Sequence, residues 1–215
     1  MNWQRARTDE QKEQRIVAIL EATARLYESS TFEKITLAAI AREASFTRSN
    51  LYKYFRSKEE IFFEFLKHDV RLWRRDLVDQ YAGISACTVE SFADIWVKVL
   101  VRHERLLRLV SVLYAHLEKK ASRESLIGFK HMANHEFGEL STVLCRFFPD
   151  LTSEQALTFL QQQQAASIGL YTMTDLSATQ RQVLEMPEFQ HFQLDFAESF
   201  RSAVIYLLSG LRAAS

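Results

Sequence analysis

The sequence predicts an all-α protein in which a small three-helix, helix-turn-helix module at the N-terminus joins a larger, wholly helical body. Three observations carry this expectation. Apolar residues recur at spacings of three and four through most of the chain, and strand-like alternation is hard to find. Only five Gly and two Pro interrupt 215 residues, so the punctuation of strand turns is scarce. The first sixty or so residues break into one long helical pattern followed by two short ones. With 47% hydrophobic and 25% charged residues, the composition is that of a globular chain and not a disordered one.

The elements follow in order. Ile16, Ile19, Leu20, Thr23, Leu26 and Tyr27 share one face, which predicts a first helix from about Thr8 to Tyr27. The cluster Ser29-Ser30-Thr31 ends it. Thr36 stands before Leu37, Ile40 and Ala41, where its hydroxyl can accept from the open N–H groups of a short second helix ending near Ala44. After a turn at Ser45 and Phe46, Thr47 can cap a third helix that carries Leu51 and Tyr54 inward and ends near Phe55. Ser57 followed by Glu60 reads as a capping box that opens a long fourth helix through Ile61, Phe65 and Leu72.

Two short helices separated by about three residues and packed on a longer one describe a helix-turn-helix, whose second helix fits the major groove of DNA. Thr47, Arg48 and Ser49 lie at the start of that helix, with Tyr52 and Lys53 one turn later. Arg48 has the fork to pair with a guanine edge or a phosphate, and Lys53 reaches either. Thr36, Tyr52 and Lys58 sit where hydroxyls, an ammonium and helix N-termini grip phosphates. Charge agrees with this polarity. The whole chain is neutral, yet residues 1–58 hold eleven Lys/Arg against seven Asp/Glu, and the remainder sixteen against twenty. On spacing alone, a helical subdomain with an ordinary solvated face remains open.

The stretch from Ile19 to Leu66, and above all IAREASFTRSNLYKYFRSKEEI from Ile40 to Ile61, resembles the DNA-binding domain of the tetracycline-repressor (TetR) family. That resemblance implies a three-helix DNA reader, residues 1–58, and an all-helical ligand-binding and dimerisation domain, residues 59–215. It implies DNA contact by Thr47, Arg48, Ser49, Tyr52 and Lys53, phosphate contact by Thr36 and Lys58, and release of a double-stranded, palindromic operator when a small molecule binds. Two positions depart from the family pattern. Glycine commonly follows the first helix, where this chain has Ser29-Ser30-Thr31, and commonly fills the turn, where it has Ser45. A positive φ at Ser45 would cost about 1 kcal/mol, which the turn can bear.

Beyond Leu66 the pattern predicts helices near Val89–Val101, Glu104–Lys119, Glu124–Phe147, Thr152–Met173 and Glu188–Arg212, with Pro149 and Pro187 at junctions. The run Gln161 to Gln164 reads as one solvated turn. The last helix carries the stripe Phe189, Phe192, Phe196, Phe200, Ala203, Leu207 and Leu211, and the one before it a thin surface at Ala165, Ala166, Ser167 and Gly169. Packed on their symmetry mates, these last two helices would form the four-helix interface of a homodimer.

An effector pocket should be mainly apolar with a few polar groups, and Trp96, His103, Tyr114, His131 and His135 supply that chemistry. His131 and His135 are four apart on one helix face, but a pair without further ligands is no metal site. No metal or other cofactor is expected. Cys87 and Cys145 lack ligand spacing and read as buried apolar residues. Enzyme classes lack their anchors, since GxSxG, GxxxxGK and GxGxxG are absent and a di-iron bundle would need two ExxH segments where the chain has one, Glu188 to His191. A polar N-terminus without a secretory pattern, and no apolar run of about 18 residues, point to a cytoplasmic protein without membrane association. Two rival functions remain: a constitutive DNA-binding protein, and a helical ligand-binding module that has lost DNA affinity.

Overall fold

The computed structural model describes residues 3–214, and no strand occurs among them. The chain forms α1 (Trp3–Ser29), α2 (Leu37–Glu43), α3 (Arg48–Leu51), α4 (Lys58–Tyr81), α5 (Val89–Arg102) and α6 (Glu104–Val112). A wide π turn, Leu113–Leu117, leads into α7 (Glu118–Lys120), which is followed by α8 (Arg123–Phe147), α9 (Ser153–Thr174), α10 (Ala178–Leu184), a 3-10 turn at Pro187–Phe192 and α11 (Phe196–Ala213). These elements gather into two compact units: residues up to His68 with Val112–Phe129, and Asp69–Ser111 with Lys130 onward.

In the first unit, hydroxyls start the short helices as the sequence predicts. Thr36 Oγ1 accepts from Ala39 N, Thr47 Oγ1 from Asn50 N and Ser57 Oγ from Glu60 N, each at 3.2 Å. Glu60 closes its half of the box one residue early, accepting from Arg56 N at 2.7 Å. Helix α3 is shorter than its pattern suggested, and the chain continues to Phe55 through tight turns in which Tyr54 N and Phe55 N both donate to Leu51 O. A helix of seven residues and another of four are too short to persist alone, so tertiary burial must hold them. Ile40, Ala41, Leu51 and Phe55 supply it, against Ile19, Ala22, Tyr27 and Phe62, all buried. Phe62 takes Tyr27 and Phe32 edge-on at 5.3 and 4.9 Å, the geometry in which ring edges meet ring faces favourably. Ser45 adopts φ 59°, the left-handed region in which the family more commonly places glycine.

The second unit is built on a larger aromatic core. Trp96 of α5 is fully buried, stacked on Phe92 and met edge-on by Trp73 and Phe159. Tyr81, at the end of α4, stacks on Phe92 at 4.8 Å and donates its hydroxyl to Phe92 O at 2.7 Å. Burial pushes its phenol well above the ordinary tyrosine range. Helix α11 packs on α9 and α5 and buries Phe200, Val204 and Leu208, spaced four apart.

Several expectations are corrected here. The final helix begins at Phe196, not Glu188, because Asp195 Oδ1 accepts from Glu198 N at 2.8 Å and caps it there; Phe189 and Phe192 belong to the 3-10 turn, and Phe192 is exposed. Helix α10, which the pattern did not predict, starts on a Ser177–Gln180 capping box and buries none of its residues. Gln163 is not solvated: it lies in the core, where its Oε1 accepts from Trp96 Nε1 at 3.3 Å. Cys87 and Cys145 are half-buried free thiols and not core residues.

Candidate nucleic-acid interface

Helix α2, the Ser45-Phe46 turn and α3 place the candidate side chains on the solvent side of the first unit. Phe46 N donates to Ala41 O at 2.8 Å, closing the turn, and the Arg25–Glu43 ion pair at 2.7 Å ties α2 to α1. Thr36, Thr47, Arg48, Ser49, Asn50, Tyr52 and Lys53 are exposed, while Leu51 between them is buried. The amphipathic α3 therefore presents one polar face. Thr36 and Thr47 accept at their helix starts and keep a hydroxyl hydrogen to donate. Arg48 rests on its neighbour one turn on: its Nη2 donates to Tyr52 Oη at 3.2 Å, and its guanidinium carbon is 5.7 Å from the Tyr52 ring centre. This pairing couples the guanidinium of Arg48 to Tyr52.

Lys58 has a different occupation. Its Nζ donates to Phe32 O at 2.7 Å, Ile35 O at 3.0 Å and Glu33 O at 3.4 Å, and lies 4.2 Å from the Phe32 ring centre. An ammonium has three hydrogens, and all three are given to the loop between α1 and α2. Burial pulls the ammonium below the ordinary lysine range, while three carbonyls and a ring face favour its charged form. Lys58, expected at a phosphate, here clamps this loop through its backbone carbonyls. Glu33 of the same loop faces His116 of the π turn, 3.4 Å between Oε1 and Nε2, and the His116 ring lies 5.5 Å from that of Phe32. Sequence reasoning missed Glu33 and His116, because nothing local pairs residues so far apart. It also missed Arg15 of α1, whose guanidinium carbon is 5.4 Å from the Phe46 ring centre.

The five residues expected to line an effector pocket do not form one constellation. Trp96 is enclosed in the aromatic core of the second unit. His103 ends α5 with Nε2 3.0 Å from Asp76 Oδ2. His131 and His135 are exposed on α8, and Tyr114, half exposed, belongs to the π turn of the first unit. No three His, Cys, Asp or Glu residues are grouped to hold a metal among the described residues. The second unit does hold two buried carboxylates, each paired with a partly exposed arginine. Asp69 accepts from Arg105 Nε and Nη2 at 2.7 Å each, and Glu136 from Arg74 Nε at 2.7 Å. Trp73 Nε1 is buried with no acceptor among the described residues, a state that costs about 1 to 3 kcal/mol.

An all-helical chain with a capped helix-turn-helix, an exposed polar recognition face and a separate aromatic-cored helical unit defines a two-part DNA-binding regulator. Sequence families agree in both halves. Residues 19–65 match the bacterial regulatory proteins of the tetR family, and residues 67–215 match the tetracyclin repressor-like C-terminal domain. The chain belongs to the TetR family of transcriptional regulators. Its fold is shared with the fatty acid degradation regulator FadR of Bacillus halodurans, at a TM-score of 0.61 and 14% identity over 92% of this chain and 96% of that one. FadR of Thermus thermophilus, a TetR-family repressor solved with lauroyl-CoA, gives 0.59 and 15% over 91% and 94%. A putative TetR-family regulator of Mesorhizobium loti gives 0.59 and 13% over 93% and 97%. No curated protein matches the chain in sequence. No helix among the described residues is long and apolar enough to cross a membrane.

Proposed function

We propose that this regulator is a homodimeric repressor, with residues 1–58 reading a palindromic operator and residues 59–215 binding an effector that releases it. The observation that carries this reading is the polar face of α3, where Thr47, Arg48, Ser49, Tyr52 and Lys53 stand exposed around a buried Leu51. Arg48 and Lys53 read bases or bind phosphates, Thr47, Ser49 and Tyr52 fix register, and Thr36 adds a phosphate contact at the start of α2.

Support for the dimer comes from α9 and α11. Ala165, Gly169 and Tyr206 are exposed, Tyr206 at 74%, and a Cβ added at Gly169 or Gly210 would meet nothing within 4 Å. Small residues that no neighbour requires leave room for a second backbone to approach. Ser167 does not belong to this surface, being buried within its own subunit. A two-fold body of this kind sets the spacing of two recognition helices.

Support for an effector comes from Trp73, whose buried N–H awaits an acceptor, and from α4, which contributes residues to both compact units. A displacement of α4 would move Ser57 and the recognition elements that precede it. The effector must bind the released conformer more tightly than the bound one, since equal affinity shifts nothing. The test is selection of duplexes from a random pool by purified protein, followed by competition with small molecules, lauroyl-CoA first. Enrichment of an inverted repeat that a ligand disperses supports the whole reading. An inverted repeat that no compound from a cell extract affects would leave a constitutive DNA-binding protein in its place.

A further inference from the structure

We infer that the groove between α1 and the recognition segment seats the sugar-phosphate backbone of the operator, with Lys12 and Arg15 as its cationic contacts. This rests on the DNA-binding reading and extends it to a helix outside the helix-turn-helix. The first observation is the stripe along α1 that faces the core. Ala22 and Ile19 are buried on it, and Ala18 is half-buried. Toward the N-terminus the same stripe continues as Arg15 and Gln11, with Gln14 and Lys12 beside it, all exposed. A face that begins as core thus turns cationic where α1 overhangs the turn and α3.

The second observation is the shape that this overhang makes. Gln11, Lys12, Gln14, Arg15, Ala18 and Tyr54 line an open groove of about 650 Å³. Arg15 and Tyr54 also border an adjoining hollow of about 270 Å³ that reaches Asn50 and Lys53 of the recognition segment. Three cations therefore border these two neighbouring hollows, which share Arg15 and Tyr54, and none of their described lining residues is a carboxylate. Amide and hydroxyl donors fill the intervals between the cations, the chemistry that phosphate and sugar oxygens accept from. Arg15 is positioned for the task. Its guanidinium lies over Phe46, which Tyr54 meets edge-on at 6.1 Å, so the charge is held beside α3 with no ion-pair partner among the described residues. A duplex whose major groove holds α3 brings a phosphate strand to each side of that helix, and these hollows lie along one side.

The measurement is the affinity of full-length protein for its selected operator and for random duplex between about 50 and 200 mM salt, with melting temperature recorded for each variant. Lys12→Ala combined with Arg15→Ala should weaken both duplexes alike and reduce the slope of log K against log salt by about 2, near one unit per lost phosphate contact. Arg15→Lys keeps the charge but loses the planar stack, and should retain the wild-type slope. An unchanged slope in the double variant would overturn the inference while leaving the regulator reading intact. A loss confined to the operator, or an Arg15→Lys variant as impaired as the double variant, would overturn it too, in favour of base reading or packing on Phe46. Failure of the wild type to bind any duplex would sink the regulator reading, and this inference with it.

Discussion

The two compact units use the same materials to opposite ends. In the first, aromatic residues are a scaffold for short helices whose polar side chains face out: Tyr27, Phe32 and Phe62 are buried so that Arg48, Ser49 and Lys53 can be exposed. In the second, the aromatic core is larger and polar groups are drawn inside it, as with Gln163 on Trp96 and the Trp73 N–H, which has no acceptor among the described residues. A DNA reader must present donors at a surface of known shape.

That contrast can be broken by substitution. The largest effects should come from the two aromatic centres, where Phe62→Ala and Trp96→Ala each lose about 3 to 5 kcal/mol of stability in thermal or denaturant unfolding. If the units unfold as separate cooperative steps, each variant shifts only its own transition. Next comes Lys58→Ala. It removes hydrogen bonds from a charged donor worth about 1.5 to 3 kcal/mol and should lower the stability of the first unit while leaving the salt slope of DNA binding unchanged. A slope reduced by about 1 with unchanged stability would restore Lys58 to the DNA interface.

Arg48→Ala should cost about 1 to 3 kcal/mol on the operator and much less on random duplex, measured as a specificity ratio. Equal losses on both would assign it to phosphate. A smaller effect of opposite sign is expected at Ser45, where φ is 59°. Ser45→Gly relieves a left-handed conformation that disfavours a Cβ and should raise stability by up to about 1 kcal/mol. No gain in melting temperature would mean that the serine side chain compensates for the turn.

The smallest effect is pH-dependent. Glu33's carboxyl is held below the ordinary value of 4.5, first by its own backbone N–H, then by the Thr31 hydroxyl, with His116 and Lys58 adding attraction. A carboxyl with a depressed folded pKa stabilises the fold above its unfolded pKa, and that contribution disappears as pH falls through the folded value. Wild type should therefore exceed Glu33→Gln in stability at neutral pH, with the gap closing below about pH 4.5. A gap that persists in acid would show that the side chain acts by shape and not by charge.

How much of this was legible in the sequence depended on whether a feature is local. Thr36, Thr47 and Ser57 announce helix starts within three residues, so the helix-turn-helix and its exposed face could be read directly. Ser45 could be read too, as a residue standing where a turn asks for positive φ. The stripe Phe189, Phe192, Phe196 misled because a 3-10 turn and a helix place apolar residues at nearly the same spacing; the sharper signal was Asp195 with Glu198, the start of α11. Helix α10 escaped because it buries nothing and so leaves no apolar period.

Lys58 and the effector candidates depend on what is not local. A lysine at a helix start is ready for phosphate, and only the folded α1–α2 loop shows that its hydrogens are already given away. Trp96 and His103 have pocket chemistry, but concavity is a property of packed helices, and packing placed one in the core and the other against Asp76. Arg15 and Lys12 went unread because the cationic end of the α1 stripe acquires meaning only beside Phe46 and Lys53.

Whether the polar face of α3 reads a specific duplex as part of a dimer is tested most directly by selection of bound sequences from a random DNA pool, using the purified wild-type protein at defined salt. An enriched inverted repeat with half-sites about one helical turn apart is the expected result. A folded dimer that enriches no sequence would contradict it.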